Sequence, residues 1–223
     1  DCLLSRGLGD VYKRQLQIPT RIHFGKDTIS YLSELKEYGD KVLLVYGGGS
    51  IKKNGIYDTA MQLLKDAALT VFELSGVEPN PRIETVRKGV TICKEEGIDM
   101  VLAIGGGSTI DCSKVIAAGA KYDGDAWDLV LDATKIKAAL PIFDVLTLSA
   151  TGTEMDPFAV ISDLTKNEKW GTGSPYMVPT MSILNPEYTY SVSKKQTAAG
   201  TADMMSHTCL LYTSPSPRDK RQS

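Results

Sequence analysis

Two short apolar segments, each ending in three consecutive glycines, constrain the fold of this chain more than any other feature. The first is Val42–Tyr46, followed by Gly47–Gly49, and the second is Met100–Ile104, followed by Gly105–Gly107. Segments that are apolar at every position are typical of strands buried on both faces of a parallel sheet. Apolar residues between them recur at helical spacing on both sides of another predicted strand, Thr70–Leu74. This β-α-β-α-β order predicts an α/β fold, a Rossmann-like doubly wound parallel sheet with helices on both faces.

Further elements are predicted on either side of this core. A helix is expected over about Ser108–Lys121, and another strand around Phe143–Leu148. A pair of strands is expected at Leu16–Phe24, where Pro19 favours the sheet edge because proline cannot donate a backbone hydrogen bond. From about Ser193 the pattern becomes that of a helix, with no further strand after it.

The composition divides the chain into four parts. Residues 1–15 and 210–223 follow no period and look like translated adapter sequence, although a natural disordered tail is the alternative, so both are left out of the fold argument. Residues 16–190 are predicted to form a dinucleotide-binding domain. Residues 191–209 are predicted to begin an all-helical metal-binding domain that is cut off.

Charge and cysteine content exclude several classes of partner. The chain has 25 basic and 27 acidic residues, a net charge of −2, so we expect no binding to nucleic acid and none to a membrane surface. No apolar run approaches the roughly 20 residues that span a bilayer, and the first residues lack a signal-peptide pattern. The four cysteines form no CxxC pair, which favours a cytoplasmic location.

The second glycine turn is a candidate phosphate site. Gly105, Gly106, Gly107 and Ser108 lie between a buried strand and a helix, where missing Cβ atoms and free amides at a helix N-terminus hold a pyrophosphate. Ser108 is also expected to be the N-cap. A tight turn with no ligand is the alternative. Lys114, further along this helix, is equally compatible with a solvated helix face.

The first glycine turn bears on the choice of cofactor. Gly47, Gly48 and Ser50 are followed by Lys52, and no acid appears before Asp58. Many dinucleotide folds carry an acid here for the ribose 2′-hydroxyl, so its absence favours a phosphorylated ribose and hence NADP(H) over NAD(H). A merely flexible loop is the alternative.

A carboxylate and an imidazole are spaced to share one cation. Asp203 and His207 are four residues apart, which places them on one face of a helix. From spacing alone, a polar pair on the surface is the favoured interpretation.

Three segments together resemble one enzyme family. Gly105–Lys114, Leu146–Asp156 and Gly200–His207 are similar to the iron-containing (group III) alcohol dehydrogenases, in particular their butanol dehydrogenase branch. The resemblance covers Leu16–Thr208 in order and spacing. It implies an NAD(P)-dependent, metal-dependent enzyme that interconverts small-molecule alcohols and aldehydes, and a homodimer for the full-length enzyme.

The resemblance also implies residue roles. The second glycine turn would hold the pyrophosphate, and Lys169 would reach the cofactor ribose or phosphate from a hairpin. Asp203 and His207 would be two of four ligands to Fe²⁺ or Zn²⁺. The cofactor cleft would be lined by Thr147, Thr151 and Asp156.

The resemblance implies two further histidine ligands that this chain does not supply. Its only histidines are His23, which is expected to be structural, and His207. The metal site is therefore expected to be incomplete, and the chain by itself inactive. Two alternatives remain: a glycerol dehydrogenase or sugar-phosphate cyclase relative on the same fold, and a non-catalytic nucleotide-binding module. The segment Ala150–Glu154 and the lysine-bearing first loop favour the alcohol dehydrogenase branch.

Overall fold

The computed structural model of the protein describes residues 18–213, with side chains described to residue 209. Six strands form one parallel sheet in the order β1-β8-β5-β4-β2-β3, and β6 and β7 form a separate antiparallel hairpin. The strands are β1 Arg21–Phe24, β2 Lys41–Tyr46, β3 Thr70–Leu74, β4 Met100–Gly105, β5 Ile142–Leu146, β6 Phe158–Asp163, β7 Glu168–Gly173 and β8 Met181–Leu184. The predicted α/β fold with a doubly wound parallel sheet is confirmed.

Helices cover both faces of the sheet. The α-helices are α1 Ser50–Lys53, α2 Ile56–Asp66, α3 Ile83–Glu96, α4 Gly107–Gly119, α5 Ala126–Leu131 and α6 Lys194–Thr213. A 3-10 helix occupies Thr28–Tyr38, and shorter ones occupy Ala133–Lys135, Pro175–Met177 and Pro186–Thr189. Among residues 18–213, no helix combines the length and the apolar character needed to cross a membrane.

The central strands are apolar at every position because each face packs against a different layer. Leu43 and Val45 of β2 belong to the core shared with α3, α4 and α5. Val42, Leu44 and Tyr46 belong to the opposite core, shared with α2 and the first 3-10 helix. Alternating side chains of one strand thus enter two cores, which is why no polar residue interrupts the run.

The structure differs from the sequence predictions at the first strand. In place of a strand pair, the described part of Leu16–Phe24 contains only β1, which lies at the sheet edge as Pro19 indicated. It pairs in parallel with β8, and Arg21 lies opposite Met181. The sequence pattern did not predict β8, because a strand of four residues is too short to show a period.

The two ends of the chain are described in part. The helix predicted from about Ser193 is present as α6, and its side chains from 194 to 209 are exposed. The flank at residues 1–15 lies outside the described residues. In the flank at 210–223, which follows no period in the sequence, residues 210–213 form the end of α6, and 214–223 lie outside the described residues. The domain boundary near residue 190 remains a prediction.

The strand order places the two glycine turns side by side. The chain passes from β2 outward to β3, returns to β4 on the other side of β2, and continues outward to β5 and β8. In the register of β2 and β4, Tyr46 lies opposite Ile104, so Gly47 and Gly105 follow at the same edge. Such a switch point leaves a crevice at the carboxyl ends of the strands, where open α/β sheets bind ligands.

Candidate functional site

The second glycine turn fits tightly against its neighbours. A Cβ at Gly105 would lie 2.5 Å from Thr109 Oγ1, so no larger residue fits there without a shift. Gly106 precedes the first residue of α4 in an extended conformation, and no side chain caps the helix. The prediction that Ser108 is the N-cap is therefore wrong, because α4 begins at Gly107 and the N-cap position is occupied by Gly106. Free backbone N–H groups at this end of a 13-residue helix suit an anion.

The first glycine turn is open to solvent on one side. A Cβ added at Gly48 would meet no atom within 4 Å, whereas one at Gly47 would lie 3.4 Å from the Val77 carbonyl oxygen and 3.9 Å from Thr109 Oγ1 in the first turn of α4. Gly49 has a φ of +95°, which a side chain rarely tolerates, and it leads directly into α1 with the exposed Ser50. The Gly76 amide donates to the Gly47 carbonyl oxygen at 3.1 Å and joins the turn to the loop after β3.

An acidic residue that the first loop lacks is supplied by β3. The Tyr46 hydroxyl donates to Glu73 Oε2 at 2.7 Å, and the Tyr57 hydroxyl donates to Glu73 Oε1 at 2.9 Å. Lys52 Nζ lies 4.0 Å from Glu73 Oε2 and 4.3 Å from the centre of the Tyr57 ring. The hydrogen bond to Glu73 raises the pKa of Tyr57, and interaction with the Tyr46 side chain raises that of Lys52. Sequence reasoning missed Glu73 because it belongs to another strand.

Thr147 and Thr151 lie beside the second glycine turn. The Thr147 amide donates to the Gly105 carbonyl oxygen at 2.9 Å. A Cβ added at Gly107 would lie 3.3 Å from Thr151 Oγ1. The structure therefore brings two of the three predicted cleft residues next to the predicted phosphate turn.

Asn80 joins the hairpin to the same turn. Lys169 Nζ donates to Asn80 Oδ1 at 2.7 Å, and the Asn80 amide donates to Ser108 Oγ at 3.3 Å. Asn80 has a φ of +57°, a conformation that asparagine tolerates better than most residues. Sequence reasoning did not select Asn80, although its position between Pro79 and Pro81 after a strand is a turn signal.

A fully buried lysine ties α4 to the loop before the hairpin. Lys114 Nζ donates to Thr153 Oγ1 at 2.9 Å, to Asp156 Oδ1 at 2.9 Å, and to the carbonyl oxygens of Asp156 and Phe158, both at 2.8 Å. Thr153 in turn donates to Asp111 Oδ1 at 2.7 Å. The solvated position that was equally open for Lys114 is excluded by its burial. Asp156, predicted to line the cofactor cleft, directs a carboxylate oxygen to this ammonium and keeps one third of its side chain exposed.

A fully buried acid, Asp144, lies within β5. Ser182 Oγ lies 2.6 Å from Asp144 Oδ2 and 2.8 Å from the Glu154 carbonyl oxygen. Asp144 Oδ1 and Glu154 Oε2 are buried, and among the described residues neither has a hydrogen-bond partner. Burial, and secondly the nearby Glu154, raises the pKa of Asp144 well above its usual value, against an opposing effect of Ser182.

The two predicted metal ligands lie together on α6. His207 Nε2 is 3.5 Å from Asp203 Oδ2, and about three quarters of each side chain is exposed. Asp203 also lines a cleft of about 460 Å³ between α6 and the loop at 148–150. Within the described part of the chain, no three His, Cys, Asp or Glu residues are grouped to hold a metal. His23, in β1, stacks on Tyr31 of the first 3-10 helix, with ring centres 3.7 Å apart.

The sequence matches a family model over the whole sheet and hairpin. The model described as iron-containing alcohol dehydrogenase matches residues 19–186. The chain belongs to the iron-containing alcohol dehydrogenase family. NADH-dependent butanol dehydrogenase A of Clostridium acetobutylicum is 61% identical over 196 residues, which are 87% of this chain and 50% of that protein. NADPH-dependent aldehyde reductase YqhD of Escherichia coli is 42% identical over 88% of this chain and 51% of its own length.

Solved structures of the family have the same fold. The crystal structure of NADH-dependent butanol dehydrogenase A from Thermotoga maritima superposes with a TM-score of 0.83 at 46% identity, over 87% of this chain and 49% of the other. The predicted family is confirmed, and relatives named butanol dehydrogenases fit the predicted branch. The chain spans about half the length of the curated relatives that it matches.

Replacing Lys114 by methionine will destabilise the fold, because several oxygens, Asp156 Oδ1 among them, lose their buried donor. We expect a loss of about 2–4 kcal/mol in the free energy of unfolding, since Asp156 is only partly buried. Urea denaturation of K114M measures it. The matched control is K88M, at an exposed lysine of α3. Equal midpoints for the two variants would show that the ammonium contributes nothing.

Replacing Asp144 by asparagine will change how stability depends on pH. Because the folded pKa of Asp144 lies above the unfolded value, the folded chain binds the extra proton, and the wild type loses stability as pH rises from about 4 through the folded pKa. Asparagine has no proton to lose. The difference between the urea midpoints of D144N and the wild type should therefore increase in favour of D144N as pH rises from about 4. A difference that stays constant or decreases would contradict a raised pKa for Asp144.

Proposed function

We propose that this chain supplies the nucleotide-binding part of an NAD(P)-dependent, metal-dependent alcohol dehydrogenase that interconverts small alcohols and aldehydes. The observation that carries the proposal is the meeting of two glycine turns at the switch point of the sheet, one of which has open space at Gly48. The printed names of relatives, butanol dehydrogenases and an aldehyde reductase, support the substrate class.

Each part of the site has a proposed role toward the dinucleotide. The turn Gly105–Ser108 holds the pyrophosphate through the backbone amides that open α4, helped by the dipole of that helix. Thr147 and Thr151, which lie beside this turn, line the cleft together with Asp156. Lys169 reaches the ribose or a phosphate by exchanging its hydrogen bond with Asn80. When bound, the nicotinamide supplies the hydride chemistry, and the protein supplies position.

The metal site is proposed at α6. The carboxylate of Asp203 and the imidazole of His207 are donor types that suit Fe²⁺ or Zn²⁺, and their 3.5 Å separation lets both contact one ion. A divalent metal, when bound, supplies Lewis-acid polarisation of a substrate oxygen. The protein's own part is to hold these donors at the cleft that Asp203 lines.

Non-catalytic nucleotide binding is the second candidate for the chain by itself. Two donors do not complete a tetrahedral site, and the described residues offer no third. A glycerol dehydrogenase or sugar-phosphate cyclase is less favoured, because relatives at about 60% identity are named butanol dehydrogenases.

We also propose a cytoplasmic location and a homodimer for the full-length enzyme. Cys93 and Cys112 are buried thiols outside any disulfide, as is usual in a reducing compartment. The homodimer rests on the family resemblance.

NADP(H) is the proposed cofactor in preference to NAD(H). Support comes from Ser50, Lys52 and Lys53 after the first glycine turn, which itself carries no acid. Named relatives include both NADH-dependent and NADPH-dependent proteins, so similarity alone does not decide the preference.

Titration of the 223-residue chain with NADPH and NADH, followed by fluorescence, tests the proposed function. We expect both to bind and NADPH to bind more tightly. Replacing Gly48 by valine should weaken both by about tenfold or more, because the side chain fills the open space in which the dinucleotide would lie, and a tenfold loss corresponds to about 1.4 kcal/mol. The urea midpoint of G48V should match the wild type, since nothing lies within 4 Å of the new Cβ. Unchanged nucleotide affinity in G48V would refute the site, and tighter binding of NADH would refute the preference.

Metal binding by this chain should be weak. Asp203 and His207 supply two donors, and the described residues offer no third. The affinity for Fe²⁺ or Zn²⁺ is therefore far lower than that of a complete site. Dialysis against a mild chelator, followed by elemental analysis, should leave less than one Fe²⁺ or Zn²⁺ per chain and no NADPH-dependent reduction of butyraldehyde. H207A serves as the background control. Stoichiometric metal that H207A lacks, together with aldehyde reduction, would show that the ligand set is larger than these two residues.

A further inference from the structure

We propose that Glu73 is a specificity-determining residue of this site, because its carboxylate offsets the charge of Lys52 beside the first glycine turn and so limits the preference for a phosphorylated ribose. The inference rests on the proposed dinucleotide binding and concerns the same site. The Glu73 carboxylate would set how strongly one dinucleotide is favoured over the other.

The carboxylate of Glu73 is held in a fixed position. Each of its oxygens accepts a hydrogen bond from a different tyrosine, Oε2 from Tyr46 at 2.7 Å and Oε1 from Tyr57 at 2.9 Å. These tyrosines come from β2 and α2, and Glu73 comes from β3, so three elements fix one charge. The two tyrosine rings pack edge to face with centres 5.8 Å apart.

Lys52 is attached to the same group. Its ammonium lies over both rings, 4.3 Å from the centre of Tyr57 and 5.0 Å from that of Tyr46, and 4.0 Å from Glu73 Oε2. Lys52 belongs to α1, which follows directly on the first glycine turn. The aromatic faces and the carboxylate together hold the ammonium beside the turn.

Two opposite charges therefore act on any group bound at this turn. An ammonium attracts a ribose 2′-phosphate, whereas a carboxylate repels it and tolerates a 2′-hydroxyl. The side chains of Lys52 and Glu73 are 48% and 36% exposed, so water screens both charges and each has a modest effect. The remaining charged neighbours, Lys53 on α1 and Asp58 on α2, are exposed and, in the described structure, make no hydrogen bond or ion pair with this group.

Replacing Glu73 by glutamine tests the role with little change of shape. The amide keeps the size of the side chain and an acceptor for a tyrosine hydroxyl, and it removes the negative charge. The ratio of the NADH to the NADPH dissociation constant should rise about two- to fivefold in E73Q, mainly through tighter NADPH binding. K52M should lower the same ratio by a similar factor. E96Q makes the same charge change at the carboxyl end of α3, near the amino end of β2, and should leave the ratio unchanged.

The outcomes separate this inference from the proposed function. If the wild-type chain binds neither dinucleotide, both fail. If it binds them and E73Q shifts both dissociation constants equally, leaves the ratio unchanged or lowers it, Glu73 has at most a structural role and only the inference fails. If urea denaturation shows that E73Q does not fold, the K52M variant provides the test. An unchanged ratio of the NADH to the NADPH dissociation constant in K52M overturns the proposal.

Discussion

The parallel pairing of β2 with β4 is the constraint on which the rest of the site depends. It places Tyr46 opposite Ile104, so the glycine turns that follow both strands leave the sheet at neighbouring points. Because the chain continues from β2 to one side and from β4 to the other, neither connection covers the edge between them. The turns therefore face a shared crevice, and a Cβ at Gly47 would lie 3.9 Å from Thr109 Oγ1 in the helix that follows the other turn.

Buried charge fixes the surroundings of that crevice. Lys114 has four acceptors within 2.9 Å, which come from the loop and first residues leading into β6. A buried ammonium is tolerated only when it is fully paired, so the helix that begins at the second glycine turn and the loop at 153–158 are held as one unit. Thr151, which lies against Gly107 just before this loop, is positioned by the same arrangement.

The acids near the site show how position decides what a carboxylate does. Asp144 is fully enclosed within β5, where burial favours its neutral form and one oxygen finds no hydrogen-bond partner in the described part of the chain. Glu73 is partly exposed, and each of its oxygens accepts a hydrogen bond from a tyrosine hydroxyl. Ionisation of the buried Asp144 lowers the stability of the fold as pH rises, whereas Glu73 places a negative charge beside Lys52. Charged groups at buried or partly buried positions occur most often near functional sites.

The sequence by itself determined the fold class, the order of the central elements, the position of both glycine turns and the pairing of Asp203 with His207 on one helix. These features depend on local pattern: apolar runs, helical spacing and glycines at strand ends. Only the tertiary structure decided which residues meet across the sheet. Glu73 and Asn80 join the site from β3 and the loop after it, and Lys114 turns inward, because strand order and helix packing bring distant segments together, and no local pattern contains that information.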